Sequence, residues 1–460
     1  MQKRGRLKCG SRLPHAPPDT YFNRDVFMDK KEDIVQKYSK YVITSCVKKL
    51  EPIVVAEGKG ATVKDLDGRE YIDCWSGISV VNAGHCNPEV ISAAKEQLDK
   101  LLHCCIYVYH SVPAANLAEK LSQICGKNLQ KTFFGNSGAE AIEAAVKIGK
   151  KFTKRHEVIA LMCSFHGRTI GTLSVTGQAS RRRYDMGPYL ASVSYAPAPY
   201  CYRCSLGQQY PECDIQCAKM IEDVINYSSS NEVAEFIAEP ILAEGGIIVP
   251  PPQYFKEVKR ILDRYKILFI DDEVQTGFGR TGKLFGIEHC GVDPDIMCMA
   301  KGIADGLPLG ACITREDIGN SFEPGDHLST FGGNPVSCAA ALANIEYMLR
   351  ENLAEKSAKM GDRIMRLLGE IKEKHRLIGD IRGRGLIIGV EMVKDREKKT
   401  PAPEEAVRTR DLCRERGILL GHGGVKNNVL RIQPPLVISE EQADRIVQVL
   451  DVCLSSVERE

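Results

Sequence analysis

The chain carries almost no net charge. Its 62 Lys and Arg against 60 Asp and Glu leave +2 over 460 residues, so no global field draws it to nucleic acid or an anionic membrane, and any anion site must be local. Long hydrophobic runs are missing too: the longest apolar stretches, such as Leu386 to Val390, fall far short of the roughly 20 residues a membrane helix needs. A soluble chain is expected. We find no internal repeat, no low-complexity tract and no apolar signal segment. The first eighteen residues contain no acid, while Lys3, Arg4, Arg6, Lys8 and Arg12 supply positive charge. They end in prolines and have one serine, unlike an amphipathic transit peptide. Residues 1–30 read as a flexible tail, and Met28 is as good a start as Met1.

What is present fits an ordinary folded protein. Hydrophobic residues are 43% and charged residues 27%, and the length allows two or three compact units or one large unit with an appendage. Eighteen cysteines scattered over so long a chain read as reduced thiols in a cytoplasmic setting, not as a disulfide framework.

Short β-type runs between Ile53 and Ile72, punctuated by Asp67-Gly68, predict a small sheet with a hairpin. From about 130 to 315, short apolar runs alternate with helix-length amphipathic segments: Val158 to Met162, Val233 to Ile241, Ile267 to Ile270, Asp295 to Met299 and Leu309 to Ile313. That alternation predicts an α/β fold, a largely parallel sheet with helices on both faces. A long helix is expected over Ala339 to Leu368. It leads to a smaller domain with strands at Gly385 to Val393 and Val429 to Ile432 and a last helix from Glu440 to Leu454. The expected division is 31–76 and 339–460 for the small domain and 77–338 for the large one, with a cysteine-rich insertion at 200–217.

Three features carry chemistry. Ser137 and Glu140 have the S-x-x-E spacing of a capping box at a helix start, where the exposed amides of Gly138 and Ala139 can hold a phosphate; an ordinary capped helix has the same pattern. Asp271-Asp272-Glu273 ends a buried strand, where open α/β sheets place ligands; such an acid binds a metal, pairs with a cation or caps a helix, and no His-rich partner favours the metal. Lys301 stands just beyond another apolar strand. There it is either a solvated surface group or a partly desolvated amine whose lowered pKa makes it a nucleophile toward carbonyls. One cofactor explains all three, pyridoxal 5′-phosphate: Lys301 forms the Schiff base, Asp272 keeps the pyridine nitrogen protonated, and Gly138 with Ala139 anchors the phosphate.

The strings NSGAEAIEAAVK, FHGRT, EPILAEGG, DEVQTGFGRTG, AKGIADGLPLGA, STFGGNP and NNVLRIQPPL, in order over residues 136–436 and preceded by WSGISVVNAGHCNP from Trp75, resemble the class III (ω-amino acid) aminotransferases. The resemblance implies the type I pyridoxal phosphate-dependent fold, a large domain plus a smaller α+β domain. It implies that Phe165 and Val274 flank the cofactor ring, that Gln275 reaches its phenolic oxygen, and that Thr330 meets the phosphate of a neighbouring subunit in a homodimer; pairing of dimers into a tetramer stays open. It also implies that Arg168 grips a distal carboxylate and Arg431 an α-carboxylate, with Glu244 neutralising Arg431 when no α-carboxylate is bound. Ile78 stands where ornithine aminotransferases resemble one another in carrying a tyrosine. An apolar residue there is similar to 4-aminobutyrate aminotransferases.

The expected activity is therefore transfer of an amino group from an ω-amino acid to a 2-oxo acid such as 2-oxoglutarate. An ornithine-type ω-aminotransferase and an amino-acid racemase or epimerase on the same fold stay open. Outside the common pattern, Cys201, Cys204, Cys213 and Cys217 are spaced closely enough to hold zinc or an iron–sulfur cluster, or to remain free thiols or a disulfide.

Overall fold

The computed structural model describes residues 31–45, 50–126, 128–178 and 183–460; the tail expected over 1–30 lies outside them. Two sheets organise the chain. The smaller contains β1 (Val55–Lys59), β2 (Thr62–Asp65), β3 (Glu70–Cys74), β11 (Ile378–Arg384), β12 (Ile387–Asp395), β13 (Thr400–Pro401), β14 (Ile418–Gly423) and β15 (Val429–Ile432). Its order is β1-β2-β3-β14-β15-β12-β11, with β13 on the flank of β12. The first three strands of the chain thus join strands more than 300 residues later through the parallel pairing of β3 with β14.

The larger sheet contains β4 (Lys131–Gly135), β5 (Glu157–Leu161), β6 (Val193–Ala196), β7 (Val233–Ala238), β8 (Leu268–Asp272), β9 (Ile296–Met299) and β10 (Gly310–Thr314), in the order β4-β10-β9-β8-β7-β5-β6. Only β10 runs against the others. Its strands are buried on both faces, so alternate residues enter different cores. Phe236, Phe269 and Met297 pack on one side, with the helices Gln216–Ser228 and Tyr254–Tyr265. Ile237, Ile270 and Cys298 pack on the other, against the helix Gly138–Thr153.

The helix expected over Ala339 to Leu368 is two helices, Pro335–Arg350 and Leu353–Lys372. The chain breaks at Asn352, which sits in the left-handed conformation at φ +52, one that asparagine tolerates better than most residues. The strands β6, β11 and β14 gave no clear alternation signal in the sequence. Among the described residues, no helix is long and apolar enough to cross a membrane.

Candidate active site

The parallel strands β4, β5, β7, β8 and β9 deliver the candidate residues at the same carboxyl edge of the large sheet. After β4 the chain turns into the helix Gly138–Thr153. Ser137 accepts from the Glu140 amide at 3.2 Å, as its spacing predicts. The box is not reciprocal, however: the Glu140 carboxylate accepts from the Asn136 amide at 2.8 Å and from Asn136 Nδ2 at 2.9 Å. Ser137 is fully extended, which turns its own amide away from that carboxylate. Gly138 and Ala139 open the helix with amides that have no intrahelical acceptor. A side chain at 138 would come within 2.8 Å of Val274, so glycine keeps the cradle open.

At the end of β8 the three acids are sorted by alternation. Burial pushes the Asp271 and Glu273 carboxyls up, and Glu273 accepts from the Ile287 amide at 2.7 Å. Asp272 faces the opposite way, 4% exposed. One of its oxygens lies 2.7 Å from His166 Nδ1, and the other accepts from the Val274 amide at 3.0 Å. Just past β9, Lys301 is held at φ +49, a strained backbone of the kind that concentrates at functional sites. Burial lowers its pKa, partly opposed by the nearby carboxylates Glu244, Asp272 and Glu239 and reinforced by Arg431.

Arg431 lies on β15 of the small sheet and is 1% exposed. It donates to Glu244 Oε1 at 2.5 Å, to Gln275 Oε1 at 2.5 Å and to Gln433 Oε1 at 3.0 Å. Two glycines of β14 make room for it: Gly421 is paired opposite Arg431, and a side chain there would crowd both Arg431 and Trp75, while one at Gly423 would touch the guanidinium. Gln433 also donates to Ser79 Oγ at 2.8 Å. Ser79 ends a turn in which Ser76, Gly77, Ile78 and Ser79 all have φ between +53 and +71. Asp73 secures that turn by accepting from the Trp75 and Ser76 amides at 2.8 and 2.9 Å, and half-buried Ile78 projects from it.

Lys301, Asp272, Glu244 and Arg431 therefore share one electrostatic neighbourhood, with Gln275 bonded to Arg431 and Val274 packed against Gly138. Arg168 is exposed, its guanidinium 5.5 Å from the centroid of the Phe165 ring. Thr330 is exposed as well, beside Phe331, whose ring packs 5.2 Å from His103. Sequence reasoning missed three residues. His166 holds Asp272, Glu239 accepts from the Phe165 and Ala243 amides, both at 2.9 Å, and Gln433 bridges Arg431 to Ser79. All three stand inside the motif strings, but spacing alone does not single them out.

Cys201, Cys204, Cys213 and Cys217 line one small cavity as free thiols. Among the described residues no three His, Cys, Asp or Glu side chains converge to hold an ion. The 3₁₀ turn at Cys201–Arg203 and the helix Gln216–Ser228 bring the four to one cavity without aiming them at one point.

A buried amine of lowered basicity, a carboxylate fixed from both oxygens and a helix start opened by glycine form a donor set that fits a phosphorylated heteroaromatic aldehyde. Known proteins show the same constellation of sequence. Residues 44–454 match the family model described as Aminotransferase class-III. The chain is 42% identical over 420 residues to the acetylornithine aminotransferase of Methanosarcina mazei, covering 91% of this chain and 96% of that one. It is 41% identical over 430 residues to the leucine/methionine racemase of Thermococcus litoralis, covering 93% and 96%. An aminotransferase structure from Bacillus anthracis superposes with a TM-score of 0.87 at 36% identity, over 92% of this chain and 98% of that one.

Proposed function

The chain belongs to the class III aminotransferases, and from that membership we propose that it transfers the amino group of an ω-amino acid such as 4-aminobutyrate to a 2-oxo acid such as 2-oxoglutarate, in two half-reactions that use one pocket. Its cofactor is pyridoxal 5′-phosphate, which when bound supplies an electron-withdrawing ring that stabilises negative charge at the donor carbon. Gly138 and Ala139 would hold the phosphate, Phe165 and Val274 would flank the ring, and Gln275 would face its phenolic oxygen. Asp272, kept in place by His166 and the Val274 amide, would keep the ring nitrogen protonated. Lys301 would hold the aldehyde carbon, and its Nζ would move the proton at the donor carbon; a pKa lowered by burial suits that work. Arg168 takes the distal carboxylate of the donor.

The observation that carries the donor class is the pair Arg431–Glu244, 2.5 Å apart in the buried site. An arginine that must bind an α-carboxylate in one half-reaction and face none in the other needs its own neutraliser, since an unpaired buried charge is costly. Apolar Ile78 at the pocket wall favours a short ω-amino acid over ornithine.

The test is a half-reaction screen of the holoenzyme with 4-aminobutyrate, β-alanine, ornithine, N-acetylornithine, lysine and alanine, followed by the cofactor's absorbance. Conversion by 4-aminobutyrate or β-alanine supports the reading, and conversion by α-amino acids alone overturns it. A racemase is the second reading, favoured by the relative of that name. It predicts interconversion of D- and L-leucine or methionine with no 2-oxo acid required.

The assembly belongs to the same proposal. Leu102, Val108, Val112, Leu328 and Phe331 form exposed apolar surface on the two segments that the Asn334 side chain joins by donating to the Leu102 carbonyl at 3.1 Å. Thr330 lies on this surface, which suits a second copy of the chain completing the site. The many buried thiols suit a reducing, cytoplasmic compartment.

A further inference from the structure

Glu244 sits at the tip of a tight hairpin after β7, closed by the bridge of Leu242 to Ile248. The backbone of that hairpin is gripped from outside. Arg382, on β11 of the small sheet, donates through Nε to the carbonyls of Gly246 and Ile247, both at 3.0 Å, and through a terminal nitrogen to Gly246 again at 2.6 Å. Gly246 has φ +121, and a side chain there would meet Gly424, Val429 and the Arg382 guanidinium at 3.2–3.3 Å, so the carbonyls are presented to Arg382 by a conformation that glycine permits.

Arg382 is in turn fixed on its remaining edges. It pairs with Asp380 and Glu391, each at 2.7 Å, and donates to the Tyr200 hydroxyl at 3.0 Å, with its guanidinium 4.9 Å from the Tyr200 ring centroid. Glu391 is fully buried and accepts from the Tyr200 hydroxyl and from Arg203 Nε. Tyr200 and Arg203 flank Cys201 at the entrance of the cysteine-rich insertion. One guanidinium thus ties the small sheet, the insertion and the Glu244 hairpin together.

We propose that Arg382 is a positioning residue for donor discrimination, and that Tyr200, Arg203 and Glu391 serve to hold it. With the hairpin backbone clamped, only the Glu244 side chain is left to move when an α-carboxylate reaches Arg431, so its return geometry is preset. A loosened hairpin weakens the Glu244–Arg431 pair. That favours donors that bring their own α-carboxylate and penalises donors that do not. The inference rests on the two-donor reading above.

The experiment uses the full-length holoenzyme with Arg382→Lys, which keeps a charge for Glu391 but loses the planar fork, and the milder Tyr200→Phe. For each we compare kcat/KM for 4-aminobutyrate with that for L-glutamate, and measure amide hydrogen exchange over residues 242–248. We expect the 4-aminobutyrate to glutamate ratio to fall about fivefold or more in Arg382→Lys and about twofold in Tyr200→Phe, through KM and not kcat, with faster exchange at 242–248 and none at β8. Equal losses for both donors, or an unchanged ratio with unchanged exchange in Tyr200→Phe, overturn the inference. Should the wild type use no ω-amino donor, the two-donor reading is what has failed. The clamp is then judged by exchange and by glutamate KM, where a change in both supports it and no change in either overturns it.

Discussion

Two carboxylates in one site are held in opposite ways. Asp272 closes a central strand, is 4% exposed and is fixed at both oxygens, by a ring nitrogen and by a backbone amide two residues on. Glu244 stands on a hairpin, its side chain 15% exposed, and its partner Arg431 is shared with Gln275 and Gln433. The first geometry leaves no second position for the carboxylate. The second leaves Arg431 with neutral amide partners when Glu244 departs, so the departure is not ruinous. A transaminase needs this division, since its cofactor end does the same work in both half-reactions and its substrate end does not.

The contrast can be broken experimentally, most violently at the fixed end. Lys301→Ala is expected to cut turnover by about 10⁴-fold while the thermal transition persists, and borohydride-treated protein should lack a cofactor adduct at that position. Asp272→Asn should cost about 10³-fold in kcat for every donor alike, measured as steady-state rates with two donors of different length. Glu244→Gln should be selective: kcat/KM falls about tenfold, near 1.4 kcal/mol, for 4-aminobutyrate and hardly at all for glutamate. Uniform losses in Glu244→Gln, matching those of Asp272→Asn, would erase the distinction between the two carboxylates.

The last test reads stability, not turnover, and concerns the loop that carries Lys301. Asp305 accepts from the Ala83 amide at 2.9 Å, and burial pushes its carboxyl up to about 7. The folded chain therefore holds a proton there that the unfolded chain releases. The stability this contributes is complete below the ordinary carboxylate pKa and is lost as pH rises through about 7. Asp305→Asn should flatten the decline of chemically measured stability over that window by about 1–3 kcal/mol.

How much of this could be read from the chain alone follows the same divide. On the proposed reading the cofactor end is local: Asp272 closes one apolar strand and Lys301 stands just past another, and the parallel sheet itself follows from alternating runs such as Val233 to Ile241 and Ile267 to Ile270. On the proposed reading the substrate end is assembled from Trp75–Ser79, Glu244, Gln275 and Arg431, segments brought together by pairings such as β3 with β14 that no local pattern announces; only the likeness to a family pointed to it. The break at Asn352 was hidden because both flanking segments have helical periodicity. The redirected Glu140 carboxylate was hidden because Glu140 lies three residues from Ser137 and four from Asn136, and spacing does not say which amide it takes. His166 and Arg382 act through contacts more than 100 residues away in sequence, which no local spacing announces.

The left-handed turn at Ser76–Ser79 has an evolutionary corollary. A β-branched side chain at φ +71 is an expensive tenant, costing on the order of 1–2 kcal/mol, and on the proposed reading that same side chain walls the donor site. Replacing Ile78 by glycine would relieve the backbone and widen the cavity in one step. Broader substrate acceptance at this position would then arrive together with a gain in backbone ease, the reverse of the usual bargain between new activity and robustness, and a library randomised at 78 should be unusually rich in folded, permissive variants.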